Sequence, residues 1–129
     1  MVRERLLKWV ALLIGLVQLA LGLGYVFAPT ALNAQLGLTG APDWTTWMFS
    51  MVGARFLALG YGMILVFRNP VANRSWVNAF IGVQAIDWLV TLAYVVGGVM
   101  PLEQVSSASF LPLLYVLVLA VLYPRTARP

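Results

Sequence analysis

The sequence predicts an all-α integral membrane protein, an antiparallel bundle of four transmembrane helices forming a single domain over residues 1–129. Three observations predict it. Hydrophobic residues make up 62% of the chain and charged residues 9%, where a soluble domain carries about 25% charged. Polar surface is too scarce to cover such a chain in water, so its solvent is largely lipid. The apolar residues are collected into four continuous runs, each near the ~20 residues that carry a helix across the hydrocarbon core, and not into the ~10-residue alternating strands of a membrane barrel. The basic residues outside these runs fall on one side only.

The first span is expected over 6–27. Arg3, Arg5 and Lys8 precede an uncharged apolar run over 9–27. A secretory signal opens in the same way, but this run exceeds the 7–15 residues of a signal's apolar region and no A-x-A site follows. The segment is therefore read as a permanent helix. The stretch 29–38 is either a short interfacial helix or an irregular loop: Pro29 suits a first helical position, and Leu32, Leu36 and Leu38 suit a membrane surface.

The second span, 44–68, contains one charge, Arg55. Asp43 is placed to cap it, and Arg68 lies in its last turn, where a cation meets the helix dipole favourably. Asn69-Pro70 stops it, because a residue before proline avoids the helical region. The third span, 75–98, also contains one charge, Asp87. Gly97-Gly98 weakens its end and Pro101 follows. The fourth span, 106–123, has none. Ser106, Ser107 or Ser109 can cap it, and Pro124 ends it. Pro112 lies inside its early part, so this helix is either kinked there or begins later.

The charges set the orientation. Arg3, Arg5 and Lys8 lie before the first span, Arg68 and Arg74 between the second and third, and Arg125 and Arg128 after the fourth; the two remaining connections carry no Lys or Arg. By the positive-inside rule both termini are cytoplasmic, in a multi-pass protein of the inner (plasma) membrane. Trp9 and Trp76 then lie near the inner surface, and Trp44 and Trp47 near the outer one.

Several functions are disfavoured by what the chain lacks. It has no Cys and no His, which removes disulfides, thiol relays, Cys/His metal sites and the usual proton shuttle. Eight basic residues against four acidic ones are too few for a nucleic-acid face. There is no phosphate-binding glycine loop and no metalloprotease motif. A serine nucleophile would need a lysine base, and Lys8 is terminal. Asn73-Arg74-Ser75 matches the glycosylation pattern but falls on the cytoplasmic side. No catalytic residues, metal or cofactor are expected, and the protein is read as not an enzyme. Inverted repeats of the transporter kind are not evident, although two copies could supply them.

The two charges within the spans are the most informative residues. Arg55 is thirteen residues from Arg68, and Asp87 is thirteen from Arg74. At 1.5 Å per residue both lie about 20 Å from the connection that joins their helices. They should meet near mid-membrane, facing away from lipid, since each unpaired charge there costs about 2.5–3.5 kcal/mol. Other polar and small residues align with them. Gln84, Asp87, Thr91, Tyr94 and Gly98 share one face of the third span. Ala11, Gly15, Gln18, Gly22 and Tyr25 form a stripe on the first. Gly62 shares a face with Arg55, whereas Gly53 and Gly60 fall on another, so the second span packs against two neighbours. The fourth span offers little polarity beyond Tyr115 and should be the most exposed to lipid or to a partner.

The residues 20–65 resemble the DoxX-like group and neighbouring families of small four-helix bacterial membrane proteins. The matching residues are Ala28-Pro29, Leu36-Gly37-Leu38, Pro42 and Gly53-Ala54-Arg55-Phe56-Leu57-Ala58-Leu59-Gly60. Some members of those families are described as subunits of membrane oxidoreductases, so the resemblance implies an accessory subunit.

Two functions follow as expectations. One is a non-catalytic accessory or scaffolding subunit that packs against other membrane subunits or against itself in a homo-oligomer, with Arg55 and Asp87 as structural glue. The other is a small transporter, or a binder of a lipophilic small molecule of quinone or lipid type. Its site would be built from Arg55, Asp87, Gln18, Gln84 and Thr91, with Trp88 and Tyr61 as aromatic walls.

Overall fold

A computed structural model describes residues 2–125, so Arg128 of the C-terminal tail lies outside the described residues. The described chain is helical: α1 (Val2–Phe27), α2 (Pro29–Gln35), α3 (Thr45–Arg68), α4 (Arg74–Val96), a 3-10 turn (Leu102–Val105) and α5 (Ser106–Val121). Four stretches, α1, α3, α4 and the 3-10 turn taken together with α5 (Leu102–Val121), are long and apolar enough to cross a membrane.

α1 begins four residues before the expected start. Glu4 lies in its first turn and pairs with Lys8 one turn on, at 3.5 Å, an arrangement that supports a helix end through both the dipole and the i,i+4 pair. The open question over 29–38 resolves as a helix. Pro29 occupies the first turn, and Leu32 packs on the backbone of α1 at Gly24. Gly37, at φ +74°, lets the chain close a Schellman cap, with Gly37 N–H donating to the Ala34 carbonyl and Leu38 N–H to that of Asn33. Gly98, at φ +71°, closes α4 in the same way onto Val95 and Tyr94. The glycine pair thus caps α4 where the sequence suggested only weakening.

Other ends differ from expectation. Asp43 makes no side-chain cap on α3; the hydroxyls of Thr45 and Thr46 donate back to the carbonyls of Pro42 and Asp43. No serine caps α5. Ser106 and Ser109 donate to the carbonyls of Glu103 and Val105 instead, because the turn over Leu102–Val105 delivers the chain already wound. α5 runs unbroken through Pro112, which has no N–H for the Ala108 carbonyl one turn back. The turn between α3 and α4 is held by asparagines. Asn69 is extended before Pro70, as expected, and Asn73 Nδ2 donates to the carbonyls of Leu65 and Asn69 at 3.1 and 2.9 Å, covering the open end of α3.

The tightest seam joins α1 and α3. A Cβ built on Gly53 would stand 2.9 Å from the Gly22 carbonyl, and one on Gly60 3.1 Å from that of Gly15. Only glycines allow the two backbones this close. Gly62 faces the other way, onto the indole of Trp76. α3 therefore meets two neighbours through two glycine faces, as its spacing predicted. Trp76 is drawn into this contact and does not stand out from the surface as Trp9 does.

The core lies at one end of the bundle. Leu7, Ala11 and Ile14 of α1 meet Leu59, Met63 and Val66 of α3, Val77 and Phe80 of α4, and Leu119 and Leu122 at the end of α5. Arg3 donates to the carbonyls of Val121 and Tyr123, tying the start of α1 to the end of α5. The least covered long helix is α4, not α5. It buries only Val77, Phe80 and Gln84, because beyond its contact with α5 it touches α3 over a short length.

Candidate functional site

Away from that core the α1–α3 pair and the α4–α5 pair part around a half-open cavity of about 560 Å³. This lies within the ~300–1,000 Å³ typical of sites for small molecules. Each helix contributes by the register its sequence imposes. Gln18 and Tyr25 are seven residues apart on α1, two turns along one face, with Val17 and Leu21 beside them. α3 supplies Arg55 and Phe56. α4 supplies Gln84, Asp87 and Thr91, again at i, i+3, i+7. α5 supplies Ser107, Leu111, Pro112 and Tyr115, and Leu36 reaches in from beyond α2.

Arg55 and Asp87 form a two-pronged ion pair, with Nη1 donating to Oδ1 at 3.2 Å and Nη2 to Oδ2 at 2.7 Å. This forked geometry is the strong form of the contact. The guanidinium also lies 5.5 Å from the centre of the Phe56 ring. The pair is not sealed: the Arg55 and Asp87 side chains are 41% and 31% exposed, and both line the cavity. It is part of a polar wall and not only a lock within a packed interior.

Two amides flank it. Gln18 is 2% and Gln84 4% exposed. The side-chain carbonyl oxygen of Gln18 is shut off from solvent and accepts no hydrogen bond, an uncommon and costly state for a buried polar atom. Thr91 lines the wall, but its hydroxyl proton is committed to the Asp87 backbone carbonyl at 2.7 Å.

Of the seven residues singled out from sequence, five come together here: Arg55, Asp87, Gln18, Gln84 and Thr91. Trp88 and Tyr61 are not part of the wall. Trp88 follows Asp87 directly and so points about 100° away around α4. Tyr61, six residues after Arg55, faces outward and meets Trp76 edge-on at 6.4 Å. Tyr94, two turns beyond Asp87 on the same face, is 51% exposed and does not line the cavity, and Gly98 lies past the helix end. The aromatic walls are Tyr25, Phe56 and Tyr115. Tyr25 stacks on Phe56 and on Phe49 at centroid distances of 5.8 and 5.7 Å. Tyr115 meets Phe80 edge-on at 5.7 Å. The stripe on α1 pointed to Tyr25. On α5 the sequence had marked Tyr115 as the notable polar group, without placing it at the site, and Ser107 and Pro112 only as a possible cap and a kink.

Among the described residues no cluster of three or more His, Cys, Asp or Glu side chains is present. The arrangement offers one closed ion pair, two amides, hydroxyls and apolar walls, which suits holding a molecule by hydrogen bonds and shape. No family model matches the sequence, and no curated protein or solved structure matches it either. None of these comparisons identifies a DoxX-like family.

Proposed function

We propose that this chain is a non-catalytic membrane protein whose cavity binds a lipophilic small molecule by its polar head. The single observation that carries the reading is the 560 Å³ cavity, apolar over most of its wall, into which five polar side chains from three helices converge, one of them buried without a partner. A structural ion pair needs neither the open space nor the orphaned amide.

The proposal places the bundle in the inner membrane with antiparallel spans and both termini in the cytoplasm. Four helices of sufficient length and apolarity support insertion. The antiparallel order is supported by the glycine contacts, in which Gly15 approaches Gly60 while Gly22 approaches Gly53. The orientation is supported by the one-sided distribution of Lys and Arg. Because the chain has no cysteine, single cysteines at Ala72 and Thr39 test it cleanly. An impermeant maleimide applied to intact cells should label Thr39→Cys and spare Ala72→Cys. The reverse pattern would overturn the orientation.

The accessory-subunit reading draws on a different observation, the uncovered face of α4 with Ile86 and Leu89. Native mass spectrometry after gentle extraction separates the two. A lone chain retaining a lipophilic adduct supports binding. A homo-oligomer or a fixed hetero-complex with an empty cavity supports the scaffold.

A further inference from the structure

We propose that the cavity is filled sideways, from the bilayer, through a slot between α1 and α5. Its ligand is then a bilayer-resident amphiphile whose head lies at the Arg55–Asp87 pair while its hydrocarbon chain stays among the lipids. The inference rests on the binding function and the membrane placement proposed above, and adds the class of ligand and its route.

The slot follows from which helices touch. α1 and α3 close on each other along the glycine seam, and α4 packs along α5. The α3–α4 side is bridged twice, by Trp76 against Gly62 and by the Arg55–Asp87 pair. The α1–α5 side is tied at the end that holds the core, where Arg3 bonds the Val121 and Tyr123 carbonyls. Beyond that tie the two helices scarcely approach each other. The cavity lies in the gap, with Gln18 and Leu21 on one side and Leu111 and Tyr115 on the other.

The edges of the gap are apolar. Each residue turns about 100° from the last around a helix, so each wall can be followed outward. On α1 the buried Gln18 gives way to the half-buried Leu21 and Val17 at the rim, and then to the exposed Leu13 and Leu16. On α5 the half-buried Tyr115 gives way to Leu111 at the rim, and then to the exposed Leu114 and Phe110. Both paths run from the cavity to the outer surface through apolar side chains. On the membrane placement that surface meets acyl chains, so the mouth opens into hydrocarbon and not into water. A water-soluble ligand would have to cross this hydrocarbon to reach it. An amphiphile dissolved in the bilayer is already there, and its chain need not leave an apolar medium when its head turns inward. The polar wall does not choose among heads by itself, since Arg55 keeps N–H groups and Asp87 keeps lone pairs beyond their mutual bonds. The mouth selects the body of the ligand.

The test uses the full chain in liposomes and two alcohols that carry the same diazirine beside the hydroxyl, one on a long alkyl chain that stays in the bilayer and one on a short chain that stays in water. After illumination, peptide mapping by mass spectrometry reads where each is attached. The long-chain probe should label Asp87 and Tyr115 on the cavity wall, and the short-chain probe should leave them unlabelled. Because the chain has no cysteine, Val17→Cys and Leu111→Cys can be joined across the slot by a flexible bis-maleimide. The unjoined double variant should label as the parent does. Joining before the probe is added should abolish the label on Asp87. Joining after loading should preserve it through a wash with probe-free liposomes. Label on Ile86, on the outer face of α4, should be the same throughout. Should the two cysteines fail to join, Leu21→Trp, which plugs the same mouth, replaces them. Equal labelling of the wall by the short-chain probe, or label on Asp87 that survives closure of the slot, overturns the route and leaves the binding function standing. If the long-chain probe labels Ile86 and never the cavity wall of the parent, the cavity holds no lipophile and the binding function falls as well.

Discussion

Asp87→Asn and Arg55→Gln are each expected to destabilise the bundle by about 2 kcal/mol, and the double variant by only about 1 kcal/mol. The magnitude follows from the geometry of the pair. On the proposed membrane placement, removing one partner leaves the other charge unpaired within a span, which costs about 2.5–3.5 kcal/mol at a helix centre. A fully sealed pair would lose about 3–5 kcal/mol and a surface pair about 0–1. At 41% and 31% exposed, on a cavity wall, these side chains lie between the limits. The double variant carries two neutral amides, which need not desolvate a charge and can bond to each other. The coupling energy is therefore about 3 kcal/mol, at the upper end for residues in contact. Reversible unfolding by steric trapping in bicelles measures all four proteins on one scale. If the two single effects add within about 0.5 kcal/mol, the charges do not depend on each other and the reasoning is refuted.

Gly62→Ala places a methyl group 2.1 Å from the Trp76 ring, so it should lower stability by about 1–3 kcal/mol; Trp76→Leu in the same chain should restore most of the loss, read as a thermal midpoint in detergent. Gly53→Ala should cost a similar amount, because the atom it would strike is the Gly22 backbone carbonyl and cannot swing aside. Arg3→Ala removes the side chain that bonds the Val121 and Tyr123 carbonyls, and should speed hydrogen exchange across the last turn of α5, with a global loss of about 1 kcal/mol; unchanged exchange there would show that α5 is held by packing alone.

The α1–α3 seam shows how far spacing alone reaches. Gly15, Gly22, Gly53 and Gly60 recur at sevenfold intervals, and the structure brings the two glycine rows together. The Arg55–Asp87 contact was legible for a simpler reason. Two charges equidistant from one short turn have no cheaper place to go than to each other. Helix existence, approximate bounds and the polar stripes of α1 and α4 were available in the same way, because each is a property of one helix and its 3.6-residue period.

What the sequence could not decide is where helices fail to touch. The core closes around Leu7, Met63, Phe80 and Leu119 at one end, and the helices separate around a cavity at the other. That difference depends on the relative tilt of four segments, and no local pattern encodes tilt. For the same reason Trp88 and Tyr61 suggested themselves as walls by proximity in sequence, while Tyr25, Phe56 and Tyr115 hold those places. The exposure of α4 over α5 is likewise a property of neighbours, since α5, without a charge, is the more apolar of the two and composition alone pointed to it as the exposed helix. Composition and periodicity thus determined that four helices form and which stripes they turn toward one another. Only the tertiary arrangement decided that part of the shared interior would be left open, because a void is a property of the assembled surfaces and of none of the helices singly.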